Sequence, residues 1–281
     1  MTVTALAPWM GSNRLLAHHV GEALEGCSWV GIPFAGGMCE LKHITARTLC
    51  VNDLHREVIH LARVVADPFL GPKLYRRLRR LAFHAETLRD AQAWLSGFCC
   101  TGKECFWPLW DYDDETNLLW AECYFVCAWM SRNGLAGTDG EFRSKLATRW
   151  DAGGGDSAVR FRSATSALRE WRRVLSRATF ECLDCFDFLA KCKDAPGHGI
   201  YCDPPFPGPG DGYRHKFSEA QHRRLAETLT LYTLTRVVCR FYDHPLVREL
   251  YHADEWTCLH LEGRKQTNAA APEVLLIRGK P

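Results

Sequence analysis

Short apolar runs and longer helical repeats alternate along the chain. Trp29-Val30-Gly31-Ile32 is an apolar run that stops at Pro33-Phe34-Ala35-Gly36-Gly37, and Thr48-Leu49-Cys50-Val51 is a second that stops at Asn52-Asp53. Runs of this length bounded by turn residues predict buried strands. Leu54, Val58, Leu61 and Val65 then recur at helical spacing, and Asp67-Pro68 closes that helix. Past residue 70 the strand-like runs disappear. Leu74, Leu78, Leu81, Ala85 and Leu88 predict one amphipathic helix with Arg76, Arg77, Arg79 and Arg80 outside. Leu118 to Met130 predicts a buried helix, Ser131 to Ser157 is polar and glycine-rich, and a basic helix with Arg169, Arg172, Arg173 and Arg177 follows. Strand patterning returns at Ile200 and at Arg236 to Phe241, and a Ser218/Gln221 capping box opens a helix between them. Glu255 to Leu261 and Glu273 to Ile277 bracket a polar loop and predict a hairpin.

Strand, glycine turn, strand, acid, helix is the opening of a nucleotide-type α/β fold. The expected organisation is one α/β domain made of residues 1–70 and 179–281, interrupted by a mainly helical insertion at 71–178. A length of 281 residues suits one large domain with a substantial insertion.

Composition narrows this little further. Hydrophobic residues make up 47% and charged residues 24%, as in a globular protein with a real core. A net charge of +2 leaves any nucleic-acid affinity to the clustering of basic residues. The 14 cysteines are scattered through apolar runs, and no signal peptide is visible, so they are expected to be reduced, buried and cytoplasmic. Cys182 and Cys185 form a CxxC, but a zinc site needs a second pair at compatible spacing, and no metal is expected. The longest apolar stretch contains Glu122 and is too short to cross a bilayer.

Asp203-Pro204-Pro205-Phe206 directly follows the apolar run Gly199-Ile200-Tyr201-Cys202. Proline cannot continue a sheet ladder, so the strand must stop there and present a carboxylate and a ring at its carboxyl end. Ligands of open α/β sheets bind at that end. The glycines of Pro33 to Gly37 permit close backbone approach to a ligand, and Asp53 ends the next strand where a carboxylate can grip ribose hydroxyls.

Taken in order, these segments resemble the Dam-type (D12 class) DNA adenine N6-methyltransferases. Pro8-Trp9-Met10-Gly11-Ser12-Asn13 is similar to their W-x-G-x-K motif, Ile32 to Gly37 to E-P-F-x-G-G, and Val51-Asn52-Asp53-Leu54 to N-D-x-N. Asp203 to Phe206 matches their DPPY/DPPF, and Asp187-Phe188 stands where a D-F precedes it. Phe241 to Pro245 and Arg264 through Leu276 resemble the last motifs. Two positions depart: Asn13 replaces the lysine and Ile32 replaces the acid.

The resemblance implies a Rossmann-like methyltransferase fold with a helical target-recognition region, and S-adenosylmethionine as methyl donor. It implies Trp9, Gly11, Asn13, Pro33, Phe34, Gly36, Asp53, Asp187 and Phe188 as cofactor contacts, and Asp203, Pro204, Pro205 and Phe206 as the catalytic segment. Asp203 and the Pro204 carbonyl would draw the amino hydrogens of a flipped-out adenine while Phe206 stacks on it. Double-stranded DNA is the expected partner, met by Arg132, Asn133 and Arg149, and the protein is expected to act as a monomer. A cytosine N4-methyltransferase and a catalytically silent DNA-binding relative remain the alternatives; the second is motivated by Asn13 and Ile32.

Overall fold

The computed structural model describes residues 3–12, 16–98, 112–132, 137–138, 142–150, 156–208, 212–264 and 270–279. In chain order the elements are α1 (Ala17–Ala23), β1 (Trp29–Ile32), β2 (Thr48–Asn52), α2 (Arg56–Ala66), α3 (Leu70–Arg80), α4 (Ala85–Phe98) and α5 (Asp114–Met130). They continue with α6 (Ser157–Leu175), β3 (Ala178–Glu181), α7 (Cys185–Lys191), β4 (His198–Cys202), α8 (Glu219–Thr230), β5 (Arg236–Tyr242), α9 (Pro245–Leu250), β6 (Thr257–Arg264) and β7 (Ala270–Arg278). Contacts divide them into two units, one of residues 1–10 and 55–176, the other of residues 11–54 and 177–281.

The second unit holds the seven described strands in one mixed sheet of order β3-β2-β1-β4-β5-β7-β6. β1 to β5 run parallel, while β7 lies antiparallel to both β5 and β6. The chain builds outward from β1 through β2 to β3, then returns to lay β4 on the other side of β1. The strand order therefore reverses at the β1/β4 pair, the switch point at which an open α/β sheet forms a crevice outside its strand ends. β3 was not foreseen in the sequence, where strand patterning was expected to resume only at Ile200.

Alternation along the strands sorts their side chains onto two faces. Ile200, Cys202, Val237, Cys239, Phe241, Val274 and Leu276 face a core shared with Phe186 and Leu189 of α7 and Leu225 and Leu229 of α8. Tyr201, Asp203, Arg240 and Glu273 fall at the intervening positions, on the opposite face. At the edge of this unit Arg177 donates to the carbonyls of Leu41, Ile44 and Ala46. It clamps that loop and does not extend the basic face of the preceding helix.

The first unit is helical. Asp113 and Asp156 cap α5 and α6 through bonds to Thr116 and Ala158. The single helix expected through Leu74 and Leu88 is two. Leu81 turns to an extended conformation after α3, and the His84 ring accepts a bond from the Glu86 amide to start α4. The four-residue gap keeps the leucines in phase, which is why the periodicity ran through it. Arg77 does not join the outer face either: it is ion-paired with Glu115 and Glu122 of α5. Among the described residues no helix is long and apolar enough to cross a membrane.

Candidate active site at the strand ends

Both motif-bearing strands end at the switch point. β1 stops at Ile32 before Pro33, and β4, its hydrogen-bonded neighbour, stops at Cys202 before Asp203. The loop after β1 is tied down by Asn52, the last residue of β2. The buried Asn52 side chain donates to the Pro33 carbonyl and to the Leu183 carbonyl, both at 3.0 Å, and accepts from the Leu183 amide at 2.8 Å. One side chain thus joins the segments that follow β1, β2 and β3. Beside it, Asp53 accepts from the Gly36 amide at 2.8 Å, and Gly36 has a φ of +47°. The same loop holds buried Met38 at a φ of +62°, the left-handed region that residues with a side chain rarely occupy. Such strain concentrates at ligand sites because the surrounding structure must impose it.

A buried charge cluster sits at the end of β4. Arg240 of β5 is 3% exposed and donates from each of its three guanidinium nitrogens. Its Nε donates to Glu273 of β7 at 2.7 Å, its Nη1 to Asp203 Oδ2 at 3.0 Å and its Nη2 to the Gly11 carbonyl at 3.0 Å. Burial opposes the Arg240 charge, but Asp203, Tyr201 and Glu273 outweigh it and hold the guanidinium well above its ordinary range. Asp203 is 22% exposed, and no described residue bonds its second oxygen. Burial pushes its carboxyl up to about 7; Glu40 and Glu273 add to the rise, and Arg240 pulls against it. Among the described residues Arg240 is thus the cation set against the acids Asp203, Glu273 and Glu40.

Gly11 adopts a φ of +76°, and the Tyr213 hydroxyl lies so close that a Cβ there would collide with it. Ser12 is within 3.2 Å of the Cys39 thiol, which donates to buried Glu40 at 3.0 Å. Glu40, eight positions after Ile32, is a buried carboxylate in the segment between β1 and β2.

The remaining expected residues fall as follows. Phe206 is buried, meeting Tyr242 edge-on at 4.7 Å with the Arg240 guanidinium 5.5 Å from its ring. Phe34 packs edge-on against Phe217 at 5.6 Å. Phe188 is buried in α7, whereas Asp187 is exposed in its first turn. Trp9 belongs to the helical unit, where its ring meets His55 edge-on at 5.0 Å. Asn13 and Asn133 lie outside the described residues.

Arg132 and Arg149 come together in the helical unit. The Arg132 amide donates to the Lys145 carbonyl at 3.0 Å, beside the Ser131–Leu146 bridge. It lines a recess of about 470 Å³ with Arg149, Arg160 and Trp150. Trp150 is 86% exposed. Cys182 bonds the Leu54 carbonyl while Cys185 lies in the core, so the CxxC thiols are used in packing.

The sequence reading gives no role to Glu40, Asn52, Arg240 or Glu273, although Asn52 and Glu273 lie in segments it singles out; for Arg240 the available signal is an arginine within an otherwise apolar strand. No protein-family model matches the chain, and a search of curated proteins finds no significant match.

Proposed function

We propose that the protein is an S-adenosylmethionine-dependent DNA adenine N6-methyltransferase. The observation that carries this reading is Asp203 at the switch point: one carboxylate oxygen is held by Arg240, and the other is open to a ligand. Asp53, half-buried beside the glycine turn, suits the ribose hydroxyls of the donor. The donor supplies an electrophilic sulfonium methyl. The residues of this chain do the rest by positioning. An adenine amino nitrogen is a weak nucleophile because its lone pair is drawn into the ring. The open Asp203 oxygen accepts one of its hydrogen bonds, and the Pro204 carbonyl is the companion acceptor, so the lone pair is turned outward. As the nitrogen gains its methyl group it must lose a proton, and a carboxyl raised to about 7 is matched to receive it near neutral pH.

Arg240 sets the orientation of Asp203 in this scheme and supplies a positive charge beside it, the feature that Asn13 lacks. The target base must leave the duplex to reach such a site. The recess of Arg132, Arg149 and Arg160 suits contact with phosphates, and exposed Trp150 offers a stacking surface.

The test is transfer of labelled methyl groups to unmethylated duplex DNA. Wild type should label adenine, and Asp203→Ala should lose at least 100-fold activity, on the order of general acid–base contributions, while still unfolding cooperatively. Equal transfer by that variant removes the mechanism.

A further inference from the structure

The face of α6 turned away from the core is arginine-rich. Phe161, Ala164, Leu168, Trp171 and Leu175 are buried, and Arg162, Arg169 and Arg173 are exposed. Helix geometry explains the split, since 162, 169 and 173 project within about 40° of one another at 100° per residue. α3 packs beside α6 and adds Arg76 and Arg79. Between the two helices runs a cleft of about 710 Å³, lined by Arg76, Arg79, Arg169, Arg172, Arg173 and Tyr75. Among the described residues no acidic side chain lines it.

These arginines are not held by acids. Arg77, one residue from Arg76, is paired with Glu115 and Glu122, so carboxylates within reach of α3 are used on its other side. Among the described residues no carboxylate pairs with Arg76, Arg79, Arg169 or Arg173. Arg169 instead stacks over the Tyr75 ring at 4.6 Å, with Arg79 at 5.6 Å from the same ring. Arg172 is anchored to the Pro68 carbonyl at 3.4 Å. Aromatic stacking orients a guanidinium and leaves its N–H edge for an anion. Like charges gathered this closely repel, and the arrangement becomes favourable when an anion enters.

We infer that the α3–α6 cleft binds the phosphate backbone of duplex DNA, as a contact additional to the Arg132/Arg149 recess. This rests on duplex DNA being the substrate. Phosphate is the ligand because planar guanidinium forks match it bidentately. A polymer is favoured because the exposed arginines extend along α6 from Arg162 to Arg173, about 16 Å of helix. The contact is independent of sequence, since backbone phosphates carry no base identity.

The test is the salt dependence of duplex binding, followed by fluorescence anisotropy with a labelled duplex. Each lost phosphate contact should make the log–log salt slope shallower by about 0.9, which is on the order of tenfold in affinity at 0.1 M salt. The Arg169→Gln/Arg173→Gln variant should lose about two contacts, and Arg169→Lys/Arg173→Lys should keep most of the slope because the charge remains. Unfolding midpoints guard against a folding artefact. If the double glutamine variant unfolds, Arg173→Gln alone must still shallow the slope by about 0.9. An unchanged slope overturns the inference. So does an unchanged slope with loss of competition by inorganic phosphate, since the cleft would then take a small free anion. Calorimetry with S-adenosylmethionine separates this from the methyltransferase reading. Absent heat with a shallower slope removes the enzyme and keeps the cleft; transfer with an unchanged slope does the reverse.

Discussion

Replacing Arg240 with methionine should be among the most damaging single changes in the sheet unit. Methionine fills a similar volume, so the loss is electrostatic and not a cavity. Arg240 is 3% exposed and donates three bonds, two of them to carboxylates, one of which, Glu273, is itself 2% exposed. Removing one partner of a buried ion pair leaves an uncompensated charge and costs about 3–5 kcal/mol. That is a large share of the roughly 5–15 kcal/mol that keeps a domain folded. With a urea slope of about 3 kcal/mol/M, the unfolding midpoint should fall by about 1–1.7 M at pH 8. Two further measurements separate this cause from general disruption. The deficit should shrink toward pH 5, where Asp203, already raised to about 7 and now without Arg240 pulling it down, carries no charge. Adding Glu273→Met to Arg240→Met should restore part of the loss, because replacing both partners removes the orphaned ion. A midpoint shift below about 0.3 M, equivalent to about 1 kcal/mol, would show that the cluster is solvated and refute the reasoning.

Two other outcomes follow from the same site. Asn52→Ala removes three hydrogen bonds at the strand ends. It should cost about 2–4 kcal/mol by urea unfolding and weaken S-adenosylmethionine binding measured by calorimetry; unaltered stability would deny Asn52 its joining role. Asp203→Asn tests the pH sign. An acid raised from 3.8 to about 7 binds more protons folded than unfolded, so its contribution falls as pH rises through that window. Asn cannot titrate, so the variant should gain on wild type by about 4 kcal/mol between pH 4 and 8; parallel stability curves would contradict this.

Local signals made the frame legible. β1 and β4 were readable because an apolar run meets proline in each, and the β6–β7 hairpin because a polar loop divides two alternating runs. β3 escaped because four residues, Ala178-Thr179-Phe180-Glu181, are only partly buried and carry no apolar run. Helix α2 was read together with the strands it follows, yet clusters with the helices. The charge cluster was illegible for a different reason. Arg240 meets Asp203, Glu273 and Gly11 across separations of 37, 33 and 229 residues, so no window of sequence contains it. Arg76, Arg77 and Arg79 looked alike in sequence, and only the acids of α5 distinguish Arg77.

The position of β7 between β5 and β6 has a consequence in time. A chain is made in order, but this sheet is not filled in order: β7 enters its slot after β6 already exists. Arg240 leaves the ribosome 33 residues ahead of Glu273, an interval of about 2–7 s at 5–20 residues per second. Through that interval Asp203, made earlier, is the only acid of this pair of partners that Arg240 can meet. Only when β7 arrives can the guanidinium be divided between two carboxylates, so the cluster is completed by the last of these strands to be synthesised.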